Sequence, residues 1–288
     1  MISTPTTARP PQARTLSTRP VLRNTVMIAA FTVVMIATGA VASAVHDPIV
    51  ALVLGPALAG FVLWLYLLST RRVEDREPVE LAAPSTPRRV LTGTAIGALL
   101  SAVTIGLLAL FGGYQITGWG SLSGALTVAA MMAAVAVAEE VLFRGVILRL
   151  VQQRGGTWIA LAVSSVLFGL VHLLNPAATL WGALAIVIEA GLMLGAAYLA
   201  TGSLWLAIGL HFGWNVTTVA VFGTVSSGSE MQGALVNATT SGPAWLSGGA
   251  FGPEGSIFAI LVCTIASVVL LRLAHRRGRI VGRQRARA

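Results

Sequence analysis

Of the 288 residues, 56% are hydrophobic and only 10% charged, and the formal net charge is +9 at pH 7. Soluble chains carry about 25% charged residues, so this composition excludes an ordinary globular domain and predicts a polytopic membrane protein without a separate soluble domain. The positive charge does not mark a nucleic-acid binder. Lysine is absent, and the 19 basic residues are arginines gathered in 9–23, 71–89, 144–154 and 272–287, as expected of loops and tails kept on the cytoplasmic side of a membrane.

In chain order, residues 1–24 are rich in Thr, Pro and Arg and read as a disordered cytoplasmic tail. Eight apolar segments of membrane-spanning length follow, at 26–45, 49–68, 90–112, 122–148, 158–174, 179–199, 204–222 and 256–273. They predict an all-α helical bundle of about eight transmembrane helices, an integral domain over 25–274, with a basic cytoplasmic tail at 275–288. The even number puts both termini on one side, and all four arginine clusters then fall inside. Ala42-Ser43-Ala44 resembles a signal-peptidase site, and cleavage there would leave seven helices in the same orientation. The stretch 71–89, with Pro78, Pro84 and Pro87, reads as a flexible cytoplasmic connector. The loop 223–255 carries no basic residue and falls outside, with Pro243-Ala244-Trp245-Leu246 dipping into the interface. Gly191 and Gly195, like Gly209 and Gly213, are small-xxx-small pairs that let membrane helices approach closely. The single cysteine, Cys263, excludes an intrachain disulfide and reads as a small core hydrophobe. The run His275-Arg276-Arg277-Gly278-Arg279 suits anionic lipid head groups. Arginine used alone, with much alanine, suggests a bacterial source and hence a cell-membrane location.

Charge inside the apolar segments is where function is expected, because a charged side chain at the bilayer centre costs about 2.5–3.5 kcal/mol even on insertion scales. Glu139 and Glu140 lie within the fourth segment and Arg144 one turn later. Glu140 and Arg144 are four apart, share a helix face and have the favourable acid-first order of an ion pair. Glu139 points about 100° away. It has no cation on its own helix and is suited to act as a base. In the fifth segment Phe168 and His172 share a face. In the seventh, His211 and Asn215 project together, and each can donate a hydrogen bond to an oxyanion. Separately these read as a core histidine and as polar glue between helices. Glu189 is a further intramembrane acid outside these motifs, an inner-face contact or part of a cavity lining.

The order Glu-Glu-x-x-x-Arg, Phe-x-x-x-His, His-x-x-x-Asn, each on its own membrane helix, resembles the CPBP family of intramembrane proteases, also called the CAAX protease and bacteriocin-processing or Abi family. The resemblance covers about 129–220, including Glu139-Glu140-Val141-Leu142-Phe143-Arg144-Gly145, Ser164-Ser165-Val166-Leu167-Phe168-Gly169 and Thr201-Gly202-Ser203-Leu204. Outside it the flanks match only in hydrophobicity. The resemblance implies an endopeptidase cutting near the cytoplasmic membrane face. Glu139 and His172 would activate a water, His211 and Asn215 would hold the oxyanion, and Glu140, Arg144 and Phe168 would support the site. No cofactor is expected. A zinc alternative would enlist Glu139, His172 and His211, although a His-Glu-x-x-His helix is absent. The expected partners are membrane lipid and a peptide or membrane-protein substrate, with no nucleic acid. A rise of 1.5 Å per residue puts Glu139 roughly 13 Å from an inner boundary near Leu148, and His211 roughly 12 Å beyond Ser203. The three elements are therefore expected to meet in the inner half, open toward the cytoplasm. Two other readings compete: a non-proteolytic immunity or interaction protein, and a proton-coupled transporter, which the absence of an inverted repeat disfavours.

Overall fold

The computed structural model describes residues 20–82, 86–231 and 233–283, and these are helical over most of their length. Helices α1 (Pro20–Ala44), α2 (Pro48–Arg72) and α3 (Thr86–Leu110) precede a short strand β1 (Tyr114–Trp119). Helix α4 (Leu122–Glu140) passes through a π-helical turn, Val141–Leu148, into α5 (Arg149–Val171). Helix α6 (Leu180–Ile186) passes through a second, Val187–Leu192, into α7 (Met193–Thr201). Helix α8 (Leu204–Asn215) ends in a third, Val216–Val221. Strand β2 (Val236–Thr240), the short α9 (Ala244–Ser247) and α10 (Ile257–Arg276) complete the order.

Seven helical stretches are long and apolar enough to cross a membrane. One of them, Leu122–Leu174, has 53 residues, which at 1.5 Å per residue is about 80 Å, against a hydrocarbon core of about 30 Å. It is broken at Gly156, whose φ of 78° and ψ of 176° no helix contains. The chain reverses there, so that Phe143 and Phe168 meet with ring centroids 4.9 Å apart. This stretch is thus two spans, and each of the eight apolar segments finds its own. Helix starts follow local chemistry: Asp47 accepts from the backbone N–H of Ile49 and Val50 to cap α2, and Ser203 and Ser256 cap α8 and α10.

Three expectations are corrected. Helix α1 begins at Pro20, inside the stretch read as a tail; the rest of that tail, like the last five residues of the basic tail, lies outside the described residues. Helix α1 is also a wall of the bundle: Met27, Phe31 and Met35 are buried, and Phe31 meets Tyr66 edge-on at 5.8 Å. The connector after α2 is tied down, apart from 83–85, which are outside the described residues. Arg76 pairs with Glu74 at 2.8 Å and Glu80 at 2.7 Å, and Glu74 pairs with Arg149 at 2.7 Å. The Tyr66 hydroxyl reaches both Glu80 and the Gly145 carbonyl, which fastens this loop beneath α4. Burial pushes the Glu80 carboxyl up, but the hydrogen bonds from Arg76 and Tyr66 outweigh it and hold the group below the ordinary carboxylate range. Finally, Arg144 does not belong to a loop cluster. It is fully buried within the fourth span.

Every other described arginine lies at one end of the bundle. That end is bound together by contacts between chain-distant turns: Thr157 with Val281, Arg277 with the Ala200 carbonyl, Leu204 with Glu80. The opposite end carries Asp47, Glu230 and Glu254, and is covered by the antiparallel β1–β2 pair, in register from Tyr114 opposite Thr240 to Trp119 opposite Val236 with an irregularity between Ile116 and Gly118. These strands come from the 111–121 connection and the 223–255 loop, and the latter folds back over the helix ends.

Helices α3 and α8 lie against one another through glycines. A Cβ on Gly97 would stand 2.1 Å from the Leu210 carbonyl oxygen, and one on Gly213 2.1 Å from that of Thr94. Backbone meets backbone here, and no side chain can yield. We predict that Gly213→Ala destabilises the protein by about 1–3 kcal/mol through overpacking, while Gly106→Ala, whose Cβ meets nothing within 4 Å, leaves thermal melting in detergent unchanged. With the arginine end cytoplasmic, a reporter fused at Ser229 should be active only outside the membrane and one at the C-terminus only inside. Cytoplasmic activity at Ser229 would invert the orientation.

Candidate active site

The last turn of α4 holds Glu139 and Glu140, and the π-helical turn that follows holds Arg144. A π turn adds a residue to the helical repeat and so changes the face that the rod presents beyond it; such turns recur at functional sites. Here one follows Glu140, one surrounds Glu189 and one follows Asn215.

Arg144 is the centre of the arrangement. Its Nη1 donates to Glu140 Oε1 at 2.8 Å. Its Nη2 donates to the carbonyls of Gly191 at 3.1 Å and Ala190 at 3.3 Å on the second π turn. Its guanidinium carbon lies 4.5 Å from the centroid of Phe168, a cation–π contact strengthened by the absence of water. Phe168 in turn packs beside His172 at 4.8 Å and His211 at 6.0 Å between centroids. The support expected from Glu140, Arg144 and Phe168 is thus one connected block spanning four helices.

The histidines are oriented by acceptors. His172 Nδ1 lies 2.6 Å from the Phe168 carbonyl oxygen. A carbonyl only accepts, so Nδ1 carries a proton, and in the neutral ring the lone pair sits on Nε2. His211 Nδ1 lies 3.0 Å from Glu140 Oε1, and its Nε2 lies 3.8 Å from Glu139 Oε2. That imidazole stands between the two adjacent glutamates, bonded to one and just beyond hydrogen-bond distance from the other. Glu139 Oε2 has no partner among the described residues. Asn215 donates weakly to Met132 Sδ at 3.7 Å.

Glu139, His172, His211 and Asn215 all line one cavity of about 510 Å³. The lining extends to Asn175, Pro176, Ser226, Ser227 and exposed Glu230, in the loops at the arginine-poor end, and contains no arginine. This corrects the expected opening toward the arginine side. His172 terminates α5 at the far end of its span, so the cavity lies toward the other face. Glu139, His172 and His211 do not form a metal's ligand set: among the described residues no group of three His, Cys, Asp or Glu side chains is placed to hold an ion.

Sequence reasoning missed Glu254, which accepts from Trp214 Nε1 at 3.0 Å and Ser226 Oγ at 2.9 Å and lines the cavity. Its signal was an acid in the Gly-rich loop, without helical periodicity to place it. It also missed the His211–Glu140 bond, which joins two helices and leaves no spacing to read. Glu189 is placed in the cavity wall.

Breaking a buried ion pair by removing one partner costs about 3–5 kcal/mol. The pair predicts that Glu140→Ala, which strands the fully buried Arg144, lowers melting temperature and folded yield. Arg144→Ala should do so less, since His211 still bonds Glu140, and the double variant should recover part of the loss. Equal, additive effects would show that the pair is not coupled.

Residues 121–217 match the model of a protein family described as type II CAAX prenyl endopeptidase, Rce1-like. This is the CAAX protease family that the motifs resemble, and the matched segment contains every motif residue from Glu139 to Asn215. Searches of curated proteins and of solved structures gave no significant match.

Proposed function

We propose that the chain is an intramembrane endopeptidase that hydrolyses a peptide bond in the cavity below its arginine-poor face. The observation that carries this reading is a carboxylate oxygen without a partner, Glu139 Oε2, 3.8 Å from His211 Nε2, in a cavity shared with His172 and Asn215. A gap of that length is one that a water or a substrate oxygen bridges.

In the proposed reaction, a water held by Glu139 and by the lone pair on His172 Nε2 attacks the scissile carbonyl carbon. Glu139 takes its proton. The carbonyl oxygen becomes an oxyanion that accepts from Asn215 Nδ2–H and from the His211 ring. With His211 Nδ1–H donated to Glu140, Nε2 is a donor only while the ring is protonated, so Glu140 orients that ring and Glu139, 3.8 Å from Nε2, supplies the second negative charge beside it. On collapse the C–N bond breaks, and the proton on Glu139 passes to the departing amine. Glu140 and Arg144 touch no reacting atom and act as positioning residues.

The family description supports proteolysis in general. Its prenylated substrate is not carried over, because the cavity opens away from the face on which the arginines place the cytoplasm. The substrate proposed is a membrane-protein or secreted peptide segment entering from the outer side.

Glu139→Gln, nearly isosteric, is expected to abolish cleavage by protein reconstituted in nanodiscs while leaving melting unchanged, and the peptides released by wild-type cells should be absent from cells carrying it. Cleavage should survive exhaustive chelation. Retained turnover in Glu139→Gln would remove the base, and chelator-sensitive activity restored by zinc would return the metal reading.

A further inference from the structure

Two carboxylates in the cavity wall are not used by this hydrolysis. Glu189 is 1% exposed and lines the cavity from the second π turn. Its Oε1 meets the Cys263 thiol at 3.6 Å, and its Oε2 has no partner among the described residues. Glu254, 2% exposed, lines the same cavity from the 223–255 loop. It is an electrostatic neighbour of Glu189. It accepts from Trp214 Nε1, Ser226 Oγ, Ser227 Oγ and the Ser227 N–H. All of these donors are neutral, so Glu254 is fixed in place without a counter-ion. Arg144 lies behind Phe168 and is committed to Glu140, and no arginine lines the cavity. At the mouth stands Glu230, exposed. With the charge of a protonated His211 met by Glu139 and Glu140, a cation that enters beside Glu189 and Glu254 would stabilise their ionised form. No third ligand is placed to make this a metal site, which leaves an organic cation.

We infer that Glu189 and Glu254 form a specificity subsite that takes the guanidinium or ammonium group of an arginine or lysine side chain of the substrate, close to its scissile bond. The inference rests on the endopeptidase reading for its substrate and on the cavity wall for its chemistry. Its placement relative to the chemistry is rigid. The carbonyls of Ala190 and Gly191, beside Glu189, accept from Arg144, and Arg144 is paired to the neighbour of the proposed base. A planar guanidinium suits the free oxygen of Glu189 with the charge of Glu254 nearby, because its donors diverge in a fork.

Two arms test this in nanodiscs. In the first, internally quenched apolar peptides carry arginine, lysine, norleucine or glutamate at one position at a time. Wild-type kcat/KM should rise at least about tenfold for arginine or lysine over norleucine at one position. Glu189→Gln, and independently Glu254→Gln, should remove most of that ratio. In the second arm, Nα-acetylated arginine amide and Nα-acetylated norleucine amide, which differ in charge only at the side chain, are titrated calorimetrically into the Glu139→Gln protein. Arginine amide should bind saturably and norleucine amide should not, and adding Glu189→Gln or Glu254→Gln should weaken arginine amide by about tenfold or more. Thermal melting confirms that each variant is folded. Cleavage without preference for a cation, or arginine amide binding indifferent to both glutamine variants, overturns the subsite. Absence of cleavage with arginine amide binding intact overturns the peptidase reading and upholds the cation site. Absence of both overturns the two together.

Discussion

A single buried ion pair organises this bundle. Two ions taken out of water each lose several kcal/mol of solvation, and their mutual attraction offsets this only with good geometry and further hydrogen bonds. Glu140 and Arg144 meet that condition by recruiting neighbours from other helices: the carbonyls of Ala190 and Gly191, the face of Phe168 and the Nδ1 of His211. Each contact answers an electrostatic demand made by the pair, and together they fix the fifth, sixth and seventh spans against the fourth. Packing alone does not explain this arrangement, since lipid tails solvate leucine as well as a neighbouring helix does.

The pair also divides the labour of two residues that share a composition and an address. Because Arg144 and His211 converge on Glu140, that acid is saturated on one oxygen. Glu139, turned about 100° away, faces the cavity with an oxygen that nothing protein-borne satisfies. Glu140 keeps an oxygen without a hydrogen-bond partner too, but it does not line the cavity, whereas Glu139 does so beside an oriented imidazole. Hydrogen bonding sets Glu254, held by four neutral donors, apart from Glu189, held by a thiol alone.

The two ends of the molecule serve different purposes. At the arginine end the loop after α2 is clamped by Tyr66, Arg76, Glu74 and Arg149, closing the bundle below the site. At the other end the 223–255 loop, anchored by β2 and by Glu254, supplies the rim of the cavity. A site whose floor is bolted by charge and whose rim is a glycine-rich loop can admit an extended segment at one face without loosening the pair beneath it.

Much of this was legible in the residues themselves. Eight apolar runs and four arginine clusters predict the spans and their common end, because helix length and charge asymmetry are local properties. The Glu140–Arg144 pair follows from a spacing of four, and the separate direction of Glu139 from the helical repeat. The family resemblance marked Phe168, His172, His211 and Asn215, and all of these come together around the cavity. What only the tertiary structure decided is relative depth and contact across helices. The break at Gly156 starts the fifth span so that His172 falls at its far end, which turns the opening toward the arginine-poor face. The π turns shift the faces of three spans at the site. The bond from His211 to Glu140 and the entry of Glu254 into the cavity join positions 71 and 40 residues apart: the first bond runs from α8 to α4, and the second brings an irregular loop against α8. Nothing in local spacing encodes such meetings, which depend on how helices cross and where a loop folds back.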